Sequence, residues 1–358
     1  MKFTISSHAL LESVKCVTKA CVDNATNLMY AGVKIDACDG TLTMVATNGT
    51  ESVRRINQAM TEEDGSAIIS GRTLMSVARS LPDAAVTFED DGNVVKISCM
   101  KAKYRLNTLD VTDFPEFPDI DESQSVTIPA SVMAAMADKT CRCASRDASR
   151  PVLGGVKVAV GDGRIVMSAT DSYRLVTVDA ASDGEFEAII PADALRDAVS
   201  MAQDEVAIAC DERQVRMSLG GTTYITRVIS GNFPDVTKLI PSGHETTLTF
   251  EPQDFADALK RVEAMAKDNP SVRVSISAEE MFVQLQSTSP TQGESTDVFV
   301  GTVDGKDQVI ALNINYLKDA IAGCDGETSM ELVGSMQPAI FRHYGDMNYV
   351  ALLMPVRL

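Results

Sequence analysis

The sequence has few of the residues and motifs on which enzyme active sites are built. Only three histidines occur in 358 residues, at positions 8, 244 and 343, and none has H-E-x-x-H or H-x-H spacing. Walker-type, G-x-G-x-x-G and G-x-S-x-G sequences do not occur. Asp171 could act as a general acid or base, but no partner carboxylate or histidine is evident near it in the sequence. We therefore expect no catalytic residue, no metal and no cofactor.

The chain also lacks cysteine pairs and long apolar runs. None of the eight cysteines forms a C-x-x-C unit, and Cys141 and Cys143 are the only close pair. This usage is typical of reduced, buried thiols in a cytosolic protein. The N-terminus alternates polar and apolar residues, so we expect neither a signal peptide nor a membrane span.

Basic residues are scarce, since 32 lysines and arginines face 50 aspartates and glutamates, for a net charge of −18. A uniformly acidic surface would disfavour nucleic acid as a partner. The apolar fraction of 45% is ordinary for a globular protein, and the length allows two or three domains.

The sequence repeats with a period of about 120 residues. An apolar strand end lies five residues before a helical leucine three times: Ile69 before Leu74, Ile190 before Leu195, and Leu312 before Leu317. The segments F-T-I at 3–5, V-T-I at 126–128 and L-T-F at 248–250 keep the same period. A repeat of this size indicates three similar domains, which we place at residues 1–120, 121–243 and 244–358.

Each repeat reads as strand, helix, strands, helix, strands, which predicts an α+β fold with two helices packed on antiparallel sheets. The periodicity predicts helices over residues 7–22, 71–81, 130–146, 192–203, 252–268 and 313–322. Turn residues at Asp39-Gly40, Asp91-Gly92, Asp162-Gly163 and Gly220-Gly221 predict hairpins. The polar stretch 287–295 predicts a mobile loop.

Charge is unevenly divided between these elements. The six predicted helices carry twelve basic and nine acidic residues, a net charge of +3, and the remainder of the chain carries −21. Helix propensity alone could favour lysine and arginine, but it equally favours glutamate, of which these helices contain two. One face can then tolerate a polyanion while the rest stays acidic, without reading base sequence.

Several segments together resemble the bacterial DNA polymerase III beta subunit family, the replicative sliding clamps. They are M-K-F-T-I at 1–5, D-G-T-L at 39–42, R-P-V-L-G-G-V at 150–156, A-T-D-S-Y-R-L at 169–175, G-N-F-P-D at 231–235 and M-P-V-R-L at 354–358. The resemblance covers the whole chain and is most specific at 169–175 and at the C-terminus.

The resemblance implies a non-catalytic processivity factor. Its three domains would form a closed ring as a head-to-tail homodimer, with helices lining a hole for double-stranded DNA of any sequence. Its implied partners are the DNA polymerase III alpha subunit, the clamp loader, and other polymerases and repair proteins that dock through short linear motifs. The implied location is the bacterial cytoplasm, on the nucleoid during replication.

The family's docking pocket lies between its second and third domains. The resemblance assigns to it Leu153, Thr170, Ser172, Tyr173, Arg174, Leu175, Pro234, Leu239, Leu352, Met354, Pro355, Val356 and Arg357. Leucine, methionine and proline make an adaptable apolar groove, and arginine can fix the polar end of a peptide. Tyr173 stands where many relatives have histidine.

Candidate DNA contacts come from helix and loop positions. Arg72 lies at a matching helix start, and Arg146 and Arg150 flank the loop before Leu153; helix position alone adds Arg79, Lys139, Arg142 and Arg196. The loop at 21–27 has no basic residue to match the one that relatives often have there.

Two other classes of function stay open from the sequence. A three-domain enzyme would need convergent polar groups in a cleft, and ligand-dependent thermal shifts would reveal it. A scaffold that does not act on DNA, such as a paralogous clamp or a toxin-resistance copy, would look alike in sequence. Complementation of a clamp-depleted strain would separate that scaffold from a replicative clamp.

Overall fold

A computed structural model describes residues 1–23, 27–109, 113–123, 125–266, 270–345 and 347–357. It confirms the α+β class, with helices packed on antiparallel sheets. The α-helices are α1 Ser7–Val17, α2 Gly71–Ser80, α3 Ala130–Cys141, α4 Ala192–Val199, α5 Pro252–Val262 and α6 Ile314–Ala322. Among the described residues, no helix has the length and apolar character needed to cross a membrane.

The strands occupy most of the remaining chain. In the first half they are β1 Lys2–Ser6, β2 Gly32–Cys38, β3 Thr41–Thr47, β4 Glu51–Gln58, β5 Met60–Glu63, β6 Gly65–Ser70, β7 Ala85–Asp90, β8 Val94–Cys99, β9 Ala102–Asn107, β10 Val126–Pro129, β11 Gly155–Gly161, β12 Arg164–Thr170 and β13 Arg174–Ala181. In the second half they are β14 Phe186–Pro191, β15 Glu205–Cys210, β16 Gln214–Leu219, β17 Thr222–Arg227, β18 Thr246–Phe250, β19 Ser271–Ser277, β20 Phe282–Ser289, β21 Gly293–Val300, β22 Thr302–Gly305, β23 Gln308–Asn313, β24 Thr328–Leu332, β25 Ala339–His343 and β26 Asn348–Leu353.

These elements form two compact units. Unit 1 comprises residues 1–133 and 197–228, and unit 2 comprises residues 134–196 and 229–358. Unit 1 holds a sheet in the order β5-β1-β7-β8-β9 and a second in the order β10-β15-β16-β17-β4-β3-β2-β6. Unit 2 holds β14-β11-β12-β13-β26-β25-β24-β18-β22 and β21-β20-β19-β23. The largest sheet of each unit therefore joins strands from two successive repeats.

The apolar pattern of each helix faces a sheet, as predicted. In α1, Leu10, Val14 and Val17 are fully buried, and the Ser6 hydroxyl caps the helix by accepting the N–H of Ala9 at 3.2 Å. The core of the first sheet in unit 1 includes Phe3, whose ring stacks on another phenylalanine with centroids 4.7 Å apart. Helix and strand burial thus follow periods of 3.6 and 2.

Several predicted helix ends were wrong. α1 ends at Val17 and continues only as a 3-10 turn, Thr18–Ala20, while α3 ends at Cys141 rather than at residue 146. Arg142 and Arg146 therefore follow α3 instead of lying within it. α4 ends at Val199 and α5 at Val262. The predicted end of the fifth helix, residues 267–268, lies outside the described residues.

The polar stretch at 287–295 is mostly strand, so the prediction of a mobile loop was wrong. Ser287 pairs with Ser295 and Ser289 with Gly293 in the β20–β21 hairpin. Serine and threonine are compatible with a pleated strand when one face is exposed. Ser287 and Ser289 are themselves buried, a consequence of pairing that the local composition does not show.

The repeat extends to single hydrogen bonds at the turn that precedes β4 and β13. In unit 1 the Thr47 hydroxyl donates to the Glu51 carbonyl at 2.9 Å, and in unit 2 the Thr170 hydroxyl donates to the Arg174 carbonyl at 2.7 Å. The side chain of the next residue, Asn48 or Asp171, then accepts backbone N–H groups of the same turn. The two turns thus share the same hydrogen-bond pattern but carry different side chains.

Close backbone packing at the start of β11 gives a test of the fold. A Cβ added at Gly155 would lie 2.6 Å from Ile189, whereas one at Gly161 on the same strand would meet nothing within 4 Å. We expect Gly155→Ala to lower the free energy of unfolding by about 1–3 kcal/mol through overpacking. Gly161→Ala should change it by less than about 0.5 kcal/mol in the same urea titrations. Equal effects of both substitutions would contradict this packing.

Candidate functional site

The turn between β12 and β13 exposes one side chain and buries the next. The Asp171 carboxylate accepts the N–H groups of Tyr173 and Arg174 at 2.9 and 3.0 Å, and Ser172 has a φ of 79°. This geometry leaves Tyr173 60% exposed and turns the Arg174 side chain inward, where it is 10% exposed. Leu175, the next residue of β13, is buried.

The C-terminal segment lies directly beside this turn. β26 pairs with β13 so that Leu353 faces Arg174 in register, and Leu352 is buried within the sheet. The N–H of Met354 then donates to the Tyr173 carbonyl at 2.9 Å. Met354 is 42% exposed, so two large side chains from distant parts of the sequence stand side by side at the surface.

A 3-10 turn, Pro151–Gly154, borders the same turn. The Leu153 carbonyl accepts the N–H of Ser145 at 2.7 Å, and the Leu153 side chain is buried. The Arg150 guanidinium donates to the Ser172 hydroxyl at 2.9 Å. The β12–β13 turn and its strand ends thus carry Thr170, Ser172, Arg174 and Leu175, and the segment that carries Leu153 contacts this turn through Arg150.

The other predicted groove residues lie on two flanking segments. Gly231 is placed so that an added Cβ would lie 2.6 Å from Val152, and the segment that follows it carries Pro234 and Leu239, both exposed. At the C-terminus Pro355 and Val356 are half-buried, and Arg357 is exposed. The Val356 N–H of this C-terminal segment donates to the carbonyl of Ala311 on β23 at 2.9 Å, which holds the segment against that strand.

A cavity of about 760 Å³ in unit 2 joins residues that the sequence assigned to two different roles. Its lining includes Tyr173 and Arg174, which are predicted to bind peptides. It also includes four arginines that are predicted to contact DNA: Arg142, Arg146, Arg150 and Arg196. Carboxylates partner several of these arginines, since Arg142 pairs with Asp138 in the same cavity. The cavity is strongly polar, and an apolar edge is supplied by the exposed tyrosine.

Arg174 is the most constrained side chain of this site. Its Nε lies 3.0 Å from Asp171 Oδ2, its Nη1 lies 2.5 Å from Asp319 Oδ2, and its Nη2 donates to the Arg142 carbonyl at 2.5 Å. Its guanidinium carbon also lies 4.4 Å from the centre of the Tyr316 ring. The guanidinium therefore ties the β12–β13 turn to α6 before any ligand is considered.

Sequence reasoning missed Tyr316 and Asp319. Both are on α6 at an i, i+3 spacing, which places them on one helix face. An aromatic and a carboxylate on one face are compatible with holding a guanidinium, but the sequence does not show which arginine they would meet.

Three of the predicted DNA residues have sharply different surroundings. Lys139 is buried, pairs with Asp325 and donates to the Gly323 carbonyl at 2.5 Å, so we leave it out of any DNA surface. Arg72 and Arg79 lie on an exposed face of α2 in unit 1 and line a separate cavity of about 510 Å³. Arg72 forms a 2.9 Å ion pair with Asp23 and holds the pKa of that carboxyl below its usual range.

The cysteine thiols near the site stay protonated at neutral pH. Burial raises the pKa of Cys141 and of Cys143 to about 12, so neither is a thiolate near neutral pH. Elsewhere, the described residues include one trio with possible metal-ligating atoms within 4.8 Å of one another, Cys38, Asp39 and Asp64. All three are exposed, and three exposed groups of this kind do not by themselves form a metal site.

Comparison with known protein families gives matches along nearly the whole chain. The DNA polymerase III beta subunit profiles match at residues 1–118 for the N-terminal domain, 127–235 for the central domain and 237–357 for the C-terminal domain. The curated beta sliding clamp of Bacillus subtilis (strain 168) is 28% identical over 376 residues, and the alignment covers 100% of this chain and 100% of the relative. That of Staphylococcus aureus (strain Mu50) is 26% identical over 375 residues, covering 100% of this chain and 99% of the relative.

Solved structures give the same result for the fold. The crystal structure of the DNA polymerase sliding clamp from Bacillus subtilis aligns with a TM-score of 0.94 at 28% identity, over 100% of this chain and 99% of that one. The beta subunit from Thermotoga maritima aligns with a TM-score of 0.92 at 23% identity, over 100% and 99% of the two chains. The second similarity bears on the fold alone.

Replacement of Arg174 tests whether it holds the site together. We expect Arg174→Ala to lower the free energy of unfolding by about 2–4 kcal/mol, because removing one partner of a largely buried ion pair leaves the other uncompensated. Arg150→Ala, at an exposed arginine of the same cavity, should change it by about 0.5 kcal/mol or less. Denaturant titration of both variants measures the difference, and an unaltered midpoint for Arg174→Ala would contradict the role.

Proposed function

Because the chain belongs to the DNA polymerase III beta subunit family, that of the sliding clamps, we propose that the surface around Tyr173 and Met354 holds short peptide segments of replication proteins. A sliding clamp is a non-catalytic processivity factor that keeps a polymerase on DNA. The observation that carries the proposal is this pair of exposed side chains, whose backbones are joined by the hydrogen bond from the Met354 N–H to the Tyr173 carbonyl. Leu153, Leu175 and Leu352 of the surrounding segments are buried, and Leu175 pairs with Leu352 in register.

We place three domains at residues 1–120, 121–243 and 244–358. The ranges of the three family profiles support this division, since each contains one repeat. Each repeat contributes two helices, α1 and α2, α3 and α4, or α5 and α6. The domains are thus units of sequence, while the sheets join strands of successive domains.

The occupant of the groove would be a linear segment with apolar anchors. Exposed Tyr173, Leu239 and Met354 offer apolar contact area, and methionine adapts to different anchors. The segments would come from the DNA polymerase III alpha subunit, the clamp loader, and other polymerases and repair proteins. Such segments bind weakly alone and gain from a dimer that offers two grooves.

The ring would be a head-to-tail homodimer closed through sheet edges. β9 ends a sheet of unit 1 and carries exposed Lys103 and Arg105, whereas β21 ends a sheet of unit 2 and carries exposed Glu294. β21 also exposes Val298 by 49% and Val300 by 77%. Opposite charges and unpaired backbone favour pairing of β9 from one protomer with β21 from its partner.

Double-stranded DNA of any sequence would pass through this ring and meet the arginines of both units. Arg72, Arg142 and Arg196 are already paired with carboxylates, and Arg150 lies 3.6 Å from Asp147. Arg79 and Arg146 are exposed and form no ion pair within the described part of the chain. Partial neutralisation would keep phosphate contacts few and weak, which suits sliding. The clamp would work in the cytoplasm, on the nucleoid during replication.

Truncation of the two exposed anchors tests the groove. We expect Tyr173→Ala and Met354→Ala each to weaken binding of a synthetic clamp-binding peptide from the polymerase by about 5- to 30-fold, the range of central interface residues. Both side chains are exposed, so the melting temperature should be retained. Tyr344→Ala, at an exposed tyrosine beyond the opposite end of β26, is the control and should bind normally. Calorimetric affinities equal to wild type for both anchor variants would count against the groove.

Charge reversal at the β9 edge tests the ring. The double substitution Lys103→Glu with Arg105→Glu should raise the dimer dissociation constant about tenfold or more, because like charges would then face Glu294. Lys96→Glu on the neighbouring strand β8 reverses a charge away from the edge and should leave the dimer intact. Analytical ultracentrifugation distinguishes the species, and an unchanged dimer in the double variant would exclude β9 as the contact.

A further inference from the structure

Unit 1 contains a cavity of about 590 Å³ that no established role uses. Its walls are α1, β4 and the segment that follows α4, and its lining includes Glu12, Lys15, Cys16, Lys19, Arg55 and Asn57. The cationic side chains outnumber the carboxylates among these residues. The cavity is separate from the groove around Tyr173, which lies in unit 2.

The repeat shows what is missing from this cavity. The tenth residue of α3, Lys139, fills the equivalent space in unit 2, where it donates to the Gly323 carbonyl and pairs with Asp325. The tenth residue of α1 is Cys16, which is too short to reach across. Unit 1 therefore keeps open a space that unit 2 closes with its own ammonium group.

A second difference between the two units concerns the strands beneath α1 and α3. The fifth residue of β13, Val178, faces Tyr349 across the β13–β26 pair, and the Tyr349 ring lies 5.6 Å from the Lys139 ammonium. The fifth residue of β4 is Arg55, which faces Thr222 across the β4–β17 pair. Unit 1 thus presents a guanidinium where unit 2 has an apolar side chain.

Arg55 is the cation of this cavity that lacks an anionic partner. Lys15 pairs with Glu12 at 2.8 Å and Lys19 pairs with Asp197 at 2.6 Å. Arg55 donates Nη1 to the Thr222 hydroxyl at 2.8 Å and forms no ion pair with any described residue. Its Nε is buried and has no hydrogen-bond acceptor among the residues that the structure describes. A guanidinium that lines an open cavity without a counter-ion favours the binding of an oxyanion there.

We propose that this cavity binds a phosphate group through Arg55, with Lys15 and Lys19 at its edge. A guanidinium presents a planar fork of donors that matches phosphate oxygens. Glu12 and Asp197 neutralise the two lysines, so the net positive charge of the site is that of Arg55, and the lysines supply further hydrogen-bond donors at its edge. The phosphate would come from a small phosphorylated molecule or from the backbone of DNA. The site is independent of the peptide groove proposed above.

Protection of Cys16 from alkylation tests the site in the intact protein. Cys16 lines the cavity, whereas Cys38 and Cys210 are exposed elsewhere and serve as internal controls. Sodium pyrophosphate and a short DNA duplex are the two probes, each compared with sodium chloride at equal ionic strength. Mass spectrometry of the peptides then gives the rate of iodoacetamide labelling at each cysteine.

We expect a bound probe to slow labelling of Cys16 about tenfold at ten times its dissociation constant, with Cys38 and Cys210 unaffected. Arg55→Met should abolish this protection. Arg54→Met is the matched control, because Arg54 is on the opposite face of β4, 4.5 Å from the centre of the Phe117 ring, and should retain it. If Arg55→Met does not fold, Arg55→Lys keeps the charge without the fork and should weaken protection several-fold.

The two probes separate the sources of the phosphate. Protection by pyrophosphate identifies a small phosphorylated ligand, and protection by the duplex alone identifies the DNA backbone; either result supports the site. Labelling of Cys16 that neither probe slows would overturn the proposal. Equal protection in wild type and in folded Arg55→Met or Arg55→Lys would also overturn it.

Discussion

The pairing of strands from successive repeats is the constraint on which the rest of the structure depends. β4 pairs with β17 in unit 1, and β13 pairs with β26 in unit 2, although each pair joins residues more than 160 positions apart. Buried backbone groups must find hydrogen-bond partners, and an uncovered edge strand is a hazard. Pairing across repeats meets both demands, and it brings the last strand of the chain to the turn that carries Tyr173.

One backbone arrangement therefore occurs twice with different side chains. The turn before β4 and the turn before β13 share their hydrogen bonds through Thr47 and Thr170. In unit 2 the turn carries an exposed tyrosine and an arginine whose side chain is only 10% exposed, whereas Lys139 fills the space under α3. In unit 1 the corresponding space is open and holds Arg55. Side-chain size and charge at a few positions thus decide whether this space stays open, as in unit 1, or is closed, as in unit 2.

The acidic character of the protein also has a structural counterpart. Most arginines of the unit 2 cavity face a carboxylate, as Arg142 faces Asp138 and Arg196 faces Asp193. Exposed pairs of this kind add little stability, but they lower the positive potential that a polyanion would meet. The ring proposed above would hold DNA by enclosure, so it would have no need of strong contacts, which would slow its movement. The six observed α-helices carry eight basic and seven acidic residues, a net charge of +1, so the helices remain less acidic than the rest of the chain, but the difference is smaller than the predicted helix bounds gave.

Periodicity and repeat spacing by themselves determined the α+β class, the number of repeats and the order of their helices, because these are local patterns of apolar residues. The resemblance at 169–175 and at the C-terminus singled out two segments that the structure places side by side, the β12–β13 turn and the last strand. Only the tertiary structure decided that Lys139 is buried, that Arg174 is held by Asp319 and Tyr316, and that the polar stretch at 287–295 pairs as strand. These outcomes depend on contacts between residues distant in sequence, and the free energy of such contacts is not contained in any local pattern.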